Sequence, residues 1–137
     1  MKKNSRTSVA LHSLICLARA DKPMTSEELG RCQNTNPVII RKVLGELKKS
    51  SLVTSEKGHG GGWVALKSPK DVSFQDVFDA LDESLLPPGL AIDKSEQCLI
   101  MKNMAGAMDD FLAEASALLS KKLKKIRLQD ILEEIEH

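Results

Sequence analysis

Apolar residues recur at helical spacing over about residues 5–20, where Val9, Leu11, Leu14, Ile15 and Ala18 form one stripe and predict a first amphipathic helix. Thr25-Ser26-Glu27-Glu28 has the form of a capping box. In that motif the Thr25 hydroxyl accepts the amide three residues on and Glu28 reaches back, so a short second helix starts there and ends near Cys32. Asn36-Pro37 opens a third helix, with Asn36 as cap and Pro37 in the first position, where a missing N–H is harmless. Ile40, Val43, Leu44 and Leu47 fall on one side of it, and Val38, Arg41, Lys42, Gly45 and Lys49 on the other. The period then changes. Leu52-Val53-Thr54-Ser55 and Trp63-Val64-Ala65-Leu66 read as strands around Gly58-His59-Gly60-Gly61-Gly62, and Ser68-Pro69 ends the pattern. Glycines at such a tip take positive φ at little cost, which lets the chain reverse. Two strands alone are marginal, so the hairpin must pack on the helices as a wing.

Ser73 caps a fourth helix carrying Phe74, Val77, Phe78 and Leu81, and Pro87-Pro88-Gly89 breaks the chain after it. From about Leu99 the chain is helical again. Met101, Met104, Met108, Phe111, Ala115 and Leu118 repeat at alternating spacings of three and four, the heptad pattern of a helix that pairs within the chain or across a symmetric dimer. Lys121-Lys122-Leu123-Lys124-Lys125 suits the C-terminal end of that helix, and a last segment holds Leu128, Ile131, Leu132 and Ile135. The expected fold is mainly α with a small two-stranded β-wing: a winged helix-turn-helix over residues 1–70, a connecting helix and linker over 71–98, and a helical dimerisation region over 99–137.

Composition sharpens this picture. The chain has 137 residues, 42% of them hydrophobic, enough for a packed core. The net charge of +1 hides an asymmetry. Residues 1–70 hold thirteen Lys and Arg against five Asp and Glu, whereas residues 71–137 hold seven against fourteen. A basic front joined to an acidic rear points to a polyanion such as nucleic acid at the front. Cys16, Cys32 and Cys98 show no C-x-x-C pair and no regular spacing, so neither a disulfide framework nor a zinc finger is signalled, and a reducing cytoplasm is expected. Met1-Lys2-Lys3 before an apolar run and Ala18-Arg19-Ala20 imitates a secretory signal, but His12 and Ser13 interrupt the run, and it reads better as an amphipathic helix. No run is long enough for a membrane span.

Enzymatic readings fail on context. A phosphate-binding glycine loop opens a helix, whereas these glycines precede a strand at Trp63. His12, His59 and His137 lie apart from any nucleophile motif, and no catalytic residue is expected. DNA binding makes better use of the residues. Arg41 and Lys42 project from the outward side of the third helix near its N-terminus, where a recognition helix meets base edges, and Val38 shares that side. Lys57 and His59 flank the wing tip, suited to the minor groove. Thr25, Ser26 and Asn36 lie at helix N-termini suited to phosphates, and Lys3 and Arg6 form a basic flank on the first helix.

These motifs together resemble the Rrf2 family of bacterial winged-helix regulators, the group containing the iron–sulfur regulator IscR. The resemblance rests on Val9-Ala10-Leu11-His12-Ser13-Leu14, Thr25-Ser26-Glu27-Glu28-Leu29, Asn36-Pro37-Val38, Arg41-Lys42-Val43-Leu44-Gly45-Glu46-Leu47, Gly58-His59-Gly60-Gly61-Gly62-Trp63 and the Val72 to Leu81 helix. It implies a homodimer clasped by the long helix after residue 99, the helix whose heptad positions are Met101, Met104, Met108, Phe111, Ala115 and Leu118. It also implies a near-palindromic double-stranded operator and DNA contacts at Asn36, Val38, Arg41, Lys42 and Lys57. Cluster-binding members use three cysteines and a further ligand in the loop before that helix. Here Cys98 stands alone, and Met101 occupies the place of an expected histidine. One thiolate cannot hold a cluster that takes four ligands, so no iron–sulfur cofactor and no metal site are expected. Cys98 becomes a candidate redox sensor. The expected function is a sequence-specific, dimeric, cytoplasmic repressor whose effector is unnamed, the alternative being a winged helix that binds a protein partner.

Overall fold

A computed structural model of the chain describes residues 5–57 and 61–136. Its elements are α1 (Arg6–Arg19), α2 (Ser26–Gln33), α3 (Pro37–Lys49), β1 (Val53–Glu56), β2 (Gly62–Ala65), a 3-10 turn at Pro69–Asp71, α4 (Phe74–Leu81), α5 (Leu99–Leu123) and α6 (Leu128–Glu136). The architecture is mainly α with a two-stranded antiparallel wing. Each helix of the front half starts on a side-chain cap: Ser5 accepts from the Ser8 amide, Thr25 from Glu28, Asn36 from Val38 and Ser73 from Asp76. At Ser73 the box is complete, because the Asp76 carboxylate accepts the Ser73 amide. At Thr25 the hydroxyl both accepts the Glu28 amide and donates to the Glu28 carboxylate.

The expected stripes make the core. Val9, Leu14, Leu29, Ile40, Val43, Leu44, Leu47, Val53, Val77 and Leu81 pack in one buried cluster. Between α2 and α3 the chain turns on Asn34 in the left-handed region, φ 54°, and the Thr35 amide donates to the Gly30 carbonyl at 2.8 Å. The turn is tight. A Cβ on Gly30 would sit 2.5 Å from the Thr35 carbonyl oxygen. The wing pairs Val53 with Ala65, Thr54 with Val64, Ser55 with Trp63 and Glu56 with Gly62. The tip residues Gly58, His59 and Gly60 lie outside the described residues.

Sequence patterning missed a third pairing partner for the wing. Met24, just before α2, bridges Trp63 through two backbone bonds, Trp63 N–H to the Met24 carbonyl at 2.7 Å and Met24 N–H to the Trp63 carbonyl at 3.1 Å. A single bridging residue has no alternation to detect. It does explain Gly62, where an added Cβ would fall 2.6 Å from the Met24 carbonyl oxygen.

The chain divides differently from the expected boundaries at 70 and 98. One compact unit holds residues 1–83 with 124–137, and the other holds 84–123. In the first unit α4 packs on α1 and α3, so it belongs to the winged helix and not to a connector. The end of the chain returns there too, correcting its assignment to the dimerisation region. Leu128 donates its amide to the Val72 carbonyl, Phe74 donates to Ile126, and Leu128 and Leu132 are buried in the common core. The second unit contains a loop and α5, in which Gly89 lies so close that an added Cβ would meet the Asp109 carboxylate at 2.7 Å.

Two glycines of the helix-turn-helix should respond oppositely to the same change. Gly30→Ala is expected to cost about 1–3 kcal/mol through the clash with Thr35. Gly45→Ala, where nothing stands within 4 Å of the new methyl, should stabilise by about 0.5–1 kcal/mol by lowering the conformational entropy of the unfolded chain. Urea unfolding midpoints measure both.

Candidate nucleic-acid interface

The inner face of α3 is filled by Ile40, Val43, Leu44 and Leu47, and its outward side carries both apolar and basic residues. Val38, Ile39, Arg41 and Lys42 are exposed along its first turns, over the Asn36 cap. Asn36 accepts the Val38 amide at 2.8 Å through its side-chain oxygen, and its NH2 group takes no part in that cap bond. The wing is tied to this helix by Lys48, whose Nζ donates to Ser55 Oγ at 2.9 Å. Lys57 is exposed where β1 ends. α3 and β1, with Lys57 just beyond the end of β1, thus belong to the same compact unit.

Several expected contacts have other duties. Arg6 pairs with Glu46 and with Glu83, the latter at 3.2 Å, and donates to the Leu81 carbonyl, so its guanidinium ties α1 to α3 and to the end of α4. Thr7, buried beside it, donates to the same Glu83 carboxylate. Ser26 is buried, and its hydroxyl accepts the Trp63 indole N–H at 3.0 Å, a bond from α2 to β2. Thr25 uses its hydroxyl within the cap. The exposed carboxylate of Glu27 shares this first turn and opposes a phosphate there. Arg6, Ser26 and Thr25 thus each have a structural partner in addition to the DNA role expected from the sequence. Lys3 and His59 lie outside the described residues.

Arg41 is not unengaged. Its Nη1 lies 3.2 Å from Glu27 Oε1, an exposed pair that DNA would have to open. The Glu27 carboxyl is held below its ordinary range by its own backbone amide at the start of α2, then by Arg41. A depressed carboxyl keeps its charge at neutral pH, and the pair is lost as pH falls through the carboxylate range. An i, i+14 partner on another helix leaves no sequence signal.

On another part of the same unit, α1 and α2 bring three ligating side chains together. His12, Cys16 and Cys32 place their donor atoms within 4.8 Å of one another. Cys16 Sγ and Cys32 Sγ are 3.0 Å apart, and Cys32 Sγ is 4.0 Å from His12 Nε2. Burial, then the neighbouring Cys32 thiol, pushes the Cys16 thiol up to about 12, so it is a poor nucleophile at neutral pH. The spacing of His12 and Cys16, one helical turn apart, is the signal that was available in the sequence; Cys32 joins them only through the fold. Cys98 is exposed ahead of α5 and belongs to no group of three ligating residues among those described. Along α5 itself Met101, Met104, Met108, Phe111 and Leu118 are exposed and Ala115 is half-buried. None of the helices described is long and apolar enough to cross a membrane.

Comparison with known proteins agrees with this geometry. The Rrf2 family model, described as "Iron-dependent Transcriptional regulator", matches residues 3–134. The chain is 28% identical over 129 residues to YwnA of Bacillus subtilis (strain 168), assigned as an HTH-type transcriptional regulator, covering 94% of this chain and 96% of that protein. Among solved structures it is similar to a protein of Lactobacillus plantarum assigned as a transcriptional regulator, with TM-score 0.77, 26% identity, and 96% and 90% of the two chains covered. It also shares its fold with T. potens IscR, at TM-score 0.69 and 19% identity over 98% and 88% of the chains.

Removing the Ser26 hydroxyl tests its assignment to the scaffold. Ser26→Ala should cost about 1 kcal/mol by leaving the Trp63 indole without its acceptor. Trp63 is the single tryptophan, so its emission should shift to the blue in the folded variant as the indole loses its hydrogen bond.

Proposed function

Because the chain belongs to the Rrf2 family of transcriptional regulators, we propose that it is a homodimeric repressor that reads a near-palindromic operator with the N-terminal turns of α3. The observation that carries this reading is the exposed row of Val38, Arg41 and Lys42 on a helix whose opposite face is wholly buried. A guanidinium there suits the O6 and N7 acceptors of guanine, and the Val38 methyls suit the methyl of thymine. Asn36 and Lys57 take phosphates at either side of the read bases. The apolar row of α5 supports a second copy of the chain as its partner, since Met104, Phe111 and Leu118 are each at least half exposed. Such a regulator acts in the cytoplasm, with its DNA.

The family description speaks of iron, and the loop before α5 does not fit an iron–sulfur cluster. Cys98 is its single thiol, and four ligands are needed. We infer regulation without a cluster at that loop.

Selection of bound fragments from a random DNA library by the full-length protein tests this reading, with paired half-sites centred about 10 bp or a multiple apart as the expected result. Single, unpaired sites would refute the dimeric mode, and no enrichment would refute sequence reading. On the selected site Arg41→Ala should lose about 1–3 kcal/mol of discrimination at one base pair. Equal weakening on random DNA would make Arg41 a phosphate contact instead. Lys57→Ala should reduce the slope of log affinity against log salt by about one unit, the effect of one phosphate. Glu27→Gln should tighten operator binding, because it frees Arg41 and removes a carboxylate from the approach of the DNA backbone.

A further inference from the structure

The donors gathered by α1 and α2 have a consistent chemistry. Two thiols and an imidazole are soft or borderline ligands, suited to filled-shell ions that impose little geometric preference of their own. Donor atoms around a tetrahedral zinc stand about 3.5–4 Å apart, given metal–ligand bonds of about 2.0–2.3 Å. The Cys32–His12 separation of 4.0 Å already matches this, and the sulfurs, 3.0 Å apart, would open by less than an ångström. A thiol pair alone would account for the sulfur contact but not for the imidazole beside it. Arg19 lines the adjoining cavity, where its charge offsets that of two thiolates. That cavity, about 390 Å³, is walled mainly by Leu11, Ile15, Phe74, Leu128 and Ile131, leaving room at a fourth coordination position for water or a small ligand.

We propose that His12, Cys16 and Cys32 form a binding site for one thiophilic ion, Zn(II) or Cu(I), which clamps the first helix of the helix-turn-helix to α1. Each cysteine gives its thiol proton to solvent as its sulfur binds, so two protons leave per ion and no electron is transferred. His12 binds through Nε2 as neutral imidazole. The site does not include Cys98 and uses none of the residues assigned to DNA, so it stands or falls independently of the operator reading.

The test uses reduced, metal-stripped, full-length protein without oxygen, titrated separately with Zn(II) and Cu(I) against a competing chelator. One ion per chain, two protons released and a higher unfolding temperature are expected with at least one of the two ions. Co(II) in place of zinc should give thiolate-to-cobalt charge transfer and tetrahedral ligand-field bands. Cys32→Ser and Cys16→Ser should each weaken binding by more than about 100-fold, beyond the 10–100-fold typical of outer-shell partners. His12→Ala, at an exposed position that leaves the core untouched, should also weaken it, and Cys98→Ser should not. Failure of both ions to bind, retention of the ion by Cys32→Ser and His12→Ala, or iron-cluster absorbance from these residues would overturn the proposal. A Cys16–Cys32 disulfide forming on exposure to air in the presence of an equivalent of metal, as fast as without it, would overturn it too.

Discussion

The two backbone bonds between Met24 and Trp63 are the constraint on which the DNA-facing geometry depends. A two-stranded ribbon has little stability of its own. By pairing β2 with the residue just before α2, the chain makes the ribbon part of the helix-turn-helix. The Trp63 indole bond to Ser26 and the Lys48 bond to Ser55 add side-chain ties to α2 and from α3. Gly62 is needed because a Cβ there would strike the Met24 backbone, just as Gly30 is needed where α2 meets the α2–α3 turn. Two close backbone approaches thus hold Lys57 and the outward row of α3 in a set relation.

Local signals in the sequence carried most of the fold. Ser73, Asn36-Pro37 and Thr25 announce helix starts through groups three residues away or fewer, and the face containing Ile40, Val43, Leu44 and Leu47 is buried as its spacing requires. What could not be read is what distant segments do to one another. Arg6 looked like a free cation on a basic flank, yet its partners Glu46 and Glu83 come from α3 and the end of α4. Leu128 and Leu132 looked continuous with the preceding apolar helix, but the amide bond from Leu128 to Val72 returns them to the winged-helix core. The same limit hid the His12, Cys16 and Cys32 group, whose third member lies on another helix.

Charge on this surface is tuned rather than simply accumulated. Glu27 sits beside Arg41, so on the proposed reading it competes with DNA for that guanidinium, and its carboxylate opposes indiscriminate binding to any phosphate backbone. Specific contacts must supply what that ion pair loses. A base-reading guanidinium can do so with two directed hydrogen bonds, whereas a phosphate offers attraction without sequence information. The proposed ion site bears on the same element from its other end, since Cys32 lies in the last turn of α2 and Glu27 in the first.

Hydrogen–deuterium exchange of the full-length protein with and without its selected operator tests the central claim most directly. Slower exchange is expected at the amides of Val38 to Lys42 and at Lys57, with Met24 and Trp63 already protected in the free protein by their mutual bonds. Protection appearing instead on α1 and α6, with α3 and the wing unchanged, would contradict the assignment of the DNA-reading face.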